Sequence, residues 1–422
     1  MLFCMYFIVA AIGYWLQWLN YTHLKAHGHI VPPEFDGTID PAVLGKMSAY
    51  TAENSRVALV ESILDNVVVV LFLFAGLLGL YDRWIVSLSH SFLLNGILFF
   101  LILVYVQTLI AIPFSLYQHF TIEHRYSFNT MTFRLWLTDL LKTFVLSSIL
   151  GGLVILAALS IVQASPEWWW LWVWLFFLLF SLVMMFILPY VIEPLFFKFE
   201  PIKAEGLEEK VRRLMERAGL KVSRVFQMDA SRRSRHSNAY FTGIGRVKRI
   251  VLFDTLIGQM SHDEILAVLA HEVGHWKKRH VLKRLVLTEV TAFCGLYLAY
   301  VLAQRDELSG LLGYTGLSFY ARVMIIVFLG SLALFPLTPL FSALSRRDER
   351  EADAFAAELT GHPENMASAL VKLSRENLSN LHPHPWYAAC YYSHPPVVER
   401  IRKLNSLPHT FPLTIISFLC YF

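Results

Sequence analysis

The sequence predicts an all-α, multi-pass membrane protein of about seven transmembrane helices, with a small α+β domain on one face of the membrane. Three observations predict it. Of 422 residues, 56% are apolar and only 16% charged, against about a quarter charged in soluble domains, and mean hydropathy is +0.51. The apolar residues are gathered into blocks of transmembrane length. Between the blocks lie two polar stretches patterned like ordinary water-soluble structure.

The blocks are Met1 to Leu19, Leu59 to Leu80, Phe92 to Ile112, Phe144 to Val162, Trp168 to Val191, Leu285 to Leu302 and Val323 to Phe341. Backbone groups in hydrocarbon must be satisfied within their own segment, so each block is expected to be a helix. The first lacks a preceding basic segment and reaches spanning length, which favours an uncleaved anchor over a signal peptide. The closing run Phe411 to Phe422 is too short to cross and holds Pro412, so it is expected to lie on the surface or re-enter. Cys4, Cys294, Cys390 and Cys420 form no CxxC pair and read as packing residues. Cys420 stands third from the end of the sequence, so the chain is not expected to be a C-a-a-X prenylation substrate itself.

The longer polar region, Glu193 to Arg284, and the second, Ser345 to His409, are separated by two spans, which return both to the same face. The opposite face receives only short connections carrying Arg83, Arg305 and Arg322. Nearly all of the other Lys and Arg residues, of 36 in total, therefore share one side, which the positive-inside rule assigns to the cytosol. The net charge of +4 is modest, and the basic residues are not interleaved with aromatics, which argues against a nucleic-acid partner. The expected divisions are 1–192 (about five spans), 193–284 (polar), 285–342 (two spans), 343–410 (polar) and 411–422 (apolar tail).

Within 193–284, Leu207, Val211, Leu214 and Met215 share one face of a helix that Gly219 ends. Val225 to Met228, Ala239 to Thr242 and Arg249 to Phe253 read as short strands, with Gly243 and Gly245 marking a turn. Ser261 and Glu264 form a capping box at the start of the next helix. That helix runs through Ile265, Leu266, Val268 and Leu269 into His271.

His271-Glu272-Val273-Gly274-His275 is an H-E-x-x-H pattern. On a helix it puts two imidazoles one turn apart on one face, where both can reach a tetrahedral Zn²⁺, with Glu272 placed to take a proton from water. A catalytic site needs a third protein donor and an open fourth position. The metzincin continuation is excluded, because the positions for its glycine and histidine hold Lys278 and Val281. His280 lies five residues past His275, about 500° around a continuous helix, and is expected to point away. An acid from another helix is left. Glu349 and Asp353 stand one turn apart after the seventh block, so Glu349 can bind metal while Asp353 accepts a hydrogen bond from a ligand histidine's other nitrogen. Glu289 competes, but it lies inside a span and has no acid one turn later.

With these motifs assembled, the chain resembles the Ste24-type CAAX prenyl proteases of the M48 metallopeptidases. The shared features are the seven spans, Ser237 to Phe241, Arg249 to Leu256, the HEVGHW motif, Glu349 to Phe355, Tyr392-Ser393-His394-Pro395-Pro396, and Glu399-Arg400. The resemblance implies that the helices enclose a large chamber and that the polar regions form a gluzincin-like metalloprotease domain. It implies that Asn238 holds substrate backbone against a strand edge, that His394 hydrogen-bonds the developing oxyanion, and that Arg400 supports Asp353. An N-A-Y-F strand beside a metal site would offer unpaired backbone groups to an extended peptide.

The expected function is a membrane-embedded zinc metalloendopeptidase with one Zn²⁺ per chain, held by His271, His275 and Glu349, and with Glu272 as general base. Its expected partners are the lipid bilayer and a peptide or protein substrate, with removal of the C-terminal tripeptide of prenylated proteins as the reaction. A broader quality-control peptidase of the same family is the alternative substrate reading. A non-catalytic scaffold with a structural zinc is the alternative of another class, and Glu272 argues against it. The resemblance implies an endoplasmic-reticulum-type membrane in a eukaryote and the inner membrane in a bacterium.

Overall fold

In a computed structural model of the chain, residues 1–242, 247–305 and 307–407 are described. The turn expected at Gly243 and Gly245, Cys420 and the apolar tail lie outside the described residues. Among the described residues, seven helices are long and apolar enough to cross a membrane: Leu2–His27, Pro41–Phe74, Phe92–Glu123, Phe133–Ala164, Trp169–Phe196, His280–Ala303 and Phe319–Thr360. Large apolar side chains stand exposed along them, among them Leu109, Leu179 and Val327, as a surface solvated by lipid requires.

These helices run well past their apolar windows. The 20–58 and 113–143 stretches, which lie between apolar blocks, are largely helical: one α-helix begins at Pro41 and another at Phe133, while the helix from Phe92 continues through Pro113 to Tyr117. Hydropathy sees only the part of a helix that hydrocarbon surrounds, and a polar continuation keeps the same backbone hydrogen bonds. The second apolar block, Leu59 to Leu80, is in turn broken. Its helix widens into a π-turn over Val70–Phe74 and stops, Gly76 takes φ +92°, and a separate helix covers Leu77–Leu88. A left-handed residue ends a helix at little cost only when it is glycine.

Contacts divide the chain into two compact units. One comprises Met1–Trp18, Glu53–Ile187 and Lys283–Thr338. Its core packs Leu78, Ile85, Phe99, Leu159, Tyr320, Ala321 and Ile325. Buried Asp82 is satisfied there by the backbone N–H of Ser318 at 2.9 Å and by the Ser318 hydroxyl.

The other unit comprises Leu19–Ala52, Leu188–Leu282 and Pro339 onward. It holds a four-stranded sheet of β1 (Phe199–Pro201), β2 (Lys221–Met228), β3 (Ala239–Thr242) and β4 (Val247–Phe253), in the order β1-β2-β4-β3. β2 and β4 are parallel; β1 and β3 run antiparallel on the outside. β1 is the strand that the apolar pattern did not announce, since three residues are too few to show alternation. The Leu207–Arg217 helix buries Leu207, Val211, Leu214 and Met215, the four residues that the 3.6-residue period selects. The motif helix, His262–Lys277, starts at the expected capping box: Ser261 Oγ accepts the Glu264 N–H at 3.3 Å, and Glu264 Oε2 accepts the Ser261 N–H at 2.8 Å. Glu264 also accepts from Ser368 Oγ at 2.6 Å and Lys372 Nζ at 2.8 Å, which ties the start of the motif helix to the Pro363–Glu376 helix.

Candidate active site

Two helices supply the site. The motif helix carries His271, Glu272 and His275. The Thr338–Thr360 helix, here the acidic helix, carries Glu349 and Asp353. Their backbones approach unusually closely because residue 274 is glycine: a Cβ there would lie 2.9 Å from Ala352 Cα and 3.1 Å from Ala352 O. With no side chain at that crossing, the acid one turn before Asp353 comes directly over both imidazoles.

The result is a triangle of three residues, in which Glu349 turns a different carboxylate oxygen toward each histidine. His271 Nε2 lies 3.1 Å from His275 Nε2 and 3.3 Å from Glu349 Oε2, and His275 Nε2 lies 3.2 Å from Glu349 Oε1. Tetrahedral zinc with bonds of about 2.0–2.1 Å requires donor separations of about 3.3 Å, so the residues present fit the ion. His271 and Glu349 side chains are buried, 7% and 4% exposed, and His275 is 18% exposed; Glu349 Oε2 makes no well-aligned hydrogen bond among the described residues. A buried carboxylate oxygen facing imidazole nitrogens without a donor is costly unless a cation completes it. Glu289, the competing acid, is not in the cluster. It is buried within the His280–Ala303 helix, and neither carboxylate oxygen is hydrogen-bonded among the described residues.

Around the triangle sit the supporting groups. Asp353 Oδ1 lies 2.8 Å from His271 Nδ1 and is gripped by Arg400, whose Nε and Nη2 donate to the two carboxylate oxygens at 2.8 and 2.7 Å. Burial pulls the His271 imidazole pKa down, but Asp353 and Glu349 outweigh it, and the metal-free ring is raised to about 9. Glu272, on the motif helix beside the ligand pair, is only partly exposed; burial pushes its carboxyl above the ordinary range against the pull of His271 and His275. The His394 side chain is 59% exposed, with Nε2 3.3 Å from Glu349 Oε1 and Nδ1 2.9 Å from Ser393 Oγ. A cavity of about 540 Å³ opens beside His394 and Arg400, lined also by Leu370, Leu373, Asn377 and Asn380.

Asn238 is exposed at the start of β3, where its Oδ1 accepts the Ala239 N–H at 2.8 Å and its backbone oxygen accepts the Phe253 N–H at 3.1 Å. Among the described residues it makes no hydrogen bond to the donor cluster. β3 is nonetheless an outer strand, with its far edge unpaired by any described strand.

One expectation is overturned. His280 does not point away: its Nδ1 lies 3.0 Å from His275 Nδ1, and its ring is buried. The 500° estimate assumed a continuous helix, whereas the motif helix ends at Lys277 and Arg279 turns the chain at φ +58° before the next helix starts at His280. The basic run Lys277-Lys278-Arg279 was the available signal for an end, since cations favour a helix C-terminus.

Comparison with known proteins gives the family of the chain. Residues 20–198 match the family model of the CAAX prenyl protease N-terminal region with five membrane helices, and residues 201–407 match peptidase family M48. The chain is 32% identical over 402 residues to CAAX prenyl protease 1 of Saccharomyces cerevisiae, covering 89% of this chain and 88% of the relative. It is 30% identical over 430 residues to the human CAAX prenyl protease 1 homolog, covering 89% of each. The crystal structure of S. mikatae Ste24p superposes with a TM-score of 0.89 at 29% identity, over 95% of this chain and 97% of that one. The chain therefore belongs to peptidase family M48 and is a multi-pass membrane metallopeptidase of the Ste24 type.

Proposed function

We propose that His271, His275 and Glu349 hold one Zn²⁺ per chain, and that the site hydrolyses a peptide bond near the C-terminus of prenylated proteins, releasing the terminal tripeptide. The observation that carries the reading is the approach of the two imidazole Nε2 atoms to 3.1 Å of each other and to 3.3 and 3.2 Å of the two Glu349 carboxylate oxygens, with Glu272 on the helix that bears both histidines. A zinc ion held there supplies a Lewis acid for the scissile carbonyl and makes water a nucleophile near neutral pH.

The chain's own groups do the rest. Glu272 takes the proton of the attacking water and passes it to the leaving amine; its burial raises its proton affinity toward that of a useful base. His394 donates through Nε2 to the oxyanion, a tautomer favoured when Nδ1 accepts from the Ser393 hydroxyl 2.9 Å away. Arg400 and Asp353 hold the His271 ring in place. The outer edge of β3, beginning at Asn238, binds substrate as an added strand, so that the peptide is aligned through its backbone. The domain faces the cytosol, of the endoplasmic reticulum in a eukaryote or the inner membrane in a bacterium, a reading supported by the clustering of Lys and Arg on that side.

The names of the relatives support the prenylated substrate, and a paired assay tests it. Prenylated and unprenylated peptides of one C-a-a-X sequence are incubated with zinc-loaded enzyme and with Glu272→Gln. The expected outcome is cleavage of the prenylated peptide alone, with loss of about 10²- to 10⁴-fold in the variant at unchanged metal content. Equal cleavage of both peptides favours a broader quality-control peptidase. Full activity in Glu272→Gln removes that residue from the mechanism.

A further inference from the structure

The turn after the motif helix has a chemical consequence. The Lys278 N–H donates to Gly274 O and the Arg279 N–H to Trp276 O, both at 3.0 Å, and Arg279 then adopts the left-handed conformation that commonly follows a helix end. The reversal swings the ring of His280 back along the helix it has just left. Its Nδ1 meets His275 Nδ1 at 3.0 Å. Its Nε2 lies 3.2 Å from Glu351 Oε2 and 3.6 Å from Asp348 Oδ1, and Arg347 Nε donates to the other oxygen of Glu351 at 3.0 Å.

Two ring nitrogens at 3.0 Å need one proton between them. His275 presents Nε2 to the donor triangle, where it must be unprotonated to bind a cation. Neutral His275 therefore carries its proton on Nδ1 and donates it to His280 Nδ1. His280, having accepted there, carries its own proton on Nε2 and donates it to Glu351.

We propose that His280 is a positioning residue for the metal site: it fixes the ring rotation and tautomer of His275, and Glu351 fixes the tautomer of His280. The inference rests on the proposed metal role of His275. The two motif histidines then have different supports. His271 leans on a carboxylate held by Arg400; His275 leans on a neutral imidazole backed by a carboxylate. His280, Asp348 and Glu351 also bring three ligand atoms within 4.8 Å of one another, the arrangement of a second cation site, and metal stoichiometry distinguishes the two readings.

The test uses full-length protein in detergent: wild type, His280→Ala, His280→Asn and Glu351→Gln. Readouts are metal content, the rate of zinc loss to a chelator, the visible spectrum of the Co²⁺-substituted protein, and far-UV circular dichroism as a check on folding. His280→Ala is expected to lose zinc about 10–100-fold faster and to shift the Co²⁺ bands. In His280→Asn the amide oxygen stands near the place of Nδ1 as acceptor, and most of the loss should be recovered. Glu351→Gln should fall between wild type and His280→Ala. Wild-type kinetics and spectrum in His280→Ala, or no recovery in His280→Asn, overturn the proposal, as does a second metal per chain in wild type. If His280→Ala does not fold, Glu351→Gln decides, and an unchanged rate of zinc loss there overturns it. Wild-type protein that binds no zinc would instead defeat the proposed function itself.

Discussion

At the scale of single residues, the site depends on protons as much as on the metal. In the metal-free chain His271 is held protonated up to about 9, above the 6.5 of an ordinary imidazole, so the proton's stabilising contribution is full below 6.5 and lost as pH rises through about 9. A metal must displace that proton. Zinc affinity is therefore expected to rise with pH, by about tenfold per unit between pH 6 and 8, and isothermal titration at several pH values measures it. A flat profile would show that Asp353 and Glu349 do not hold the proton. The sequence made His271, Glu272, His275, Glu349 and Asp353 legible, because helical spacing turns position directly into direction. His280 escaped, because that rule fails at the first residue beyond a helix end. Arg400 was legible only through resemblance: an arginine 47 residues from its carboxylate has no periodicity to announce it.

At the scale of elements, the decisive contact is the crossing of the motif helix and the acidic helix at Gly274. A methyl group there would meet the backbone of Ala352 and not the flexible end of a side chain, so it cannot be accommodated by a rotamer change. Gly274→Ala is expected to separate the helices, at a cost of about 1–3 kcal/mol, and to reduce zinc content and hydrolysis together while helical content stays the same. Wild-type metal retention in that variant would show that the acidic helix can shift without moving Glu349. The capping box and the amphipathic Leu207–Arg217 helix could be read from local sequence because each is set within a few residues. Strand β1 and the break at Gly76 could not, since one is held mainly by its pairing with β2 and the other is a single dihedral inside an unbroken apolar run.

At the scale of the whole molecule, hydropathy found all seven spans but not the full length of their helices, because only hydrocarbon leaves a compositional trace. The asymmetry of Lys and Arg leads to a test of orientation. In sealed vesicles with the cytosolic face outward, added trypsin should cleave within the 193–284 and 343–407 regions and leave the short connections near Arg83 and Arg305 intact. The reverse pattern of fragments would invert the orientation. Glu349 follows His275 by two spans, His280–Ala303 and Phe319 onward, so the third donor is synthesised long after the first two. A growing chain that has delivered only the motif helix holds two imidazoles and a base but no complete ligand set. If Glu349 is the third ligand, as proposed, the order of synthesis would act as a safety catch: the ligand set is complete only after the helix that starts at Phe319 has been made through residue 349.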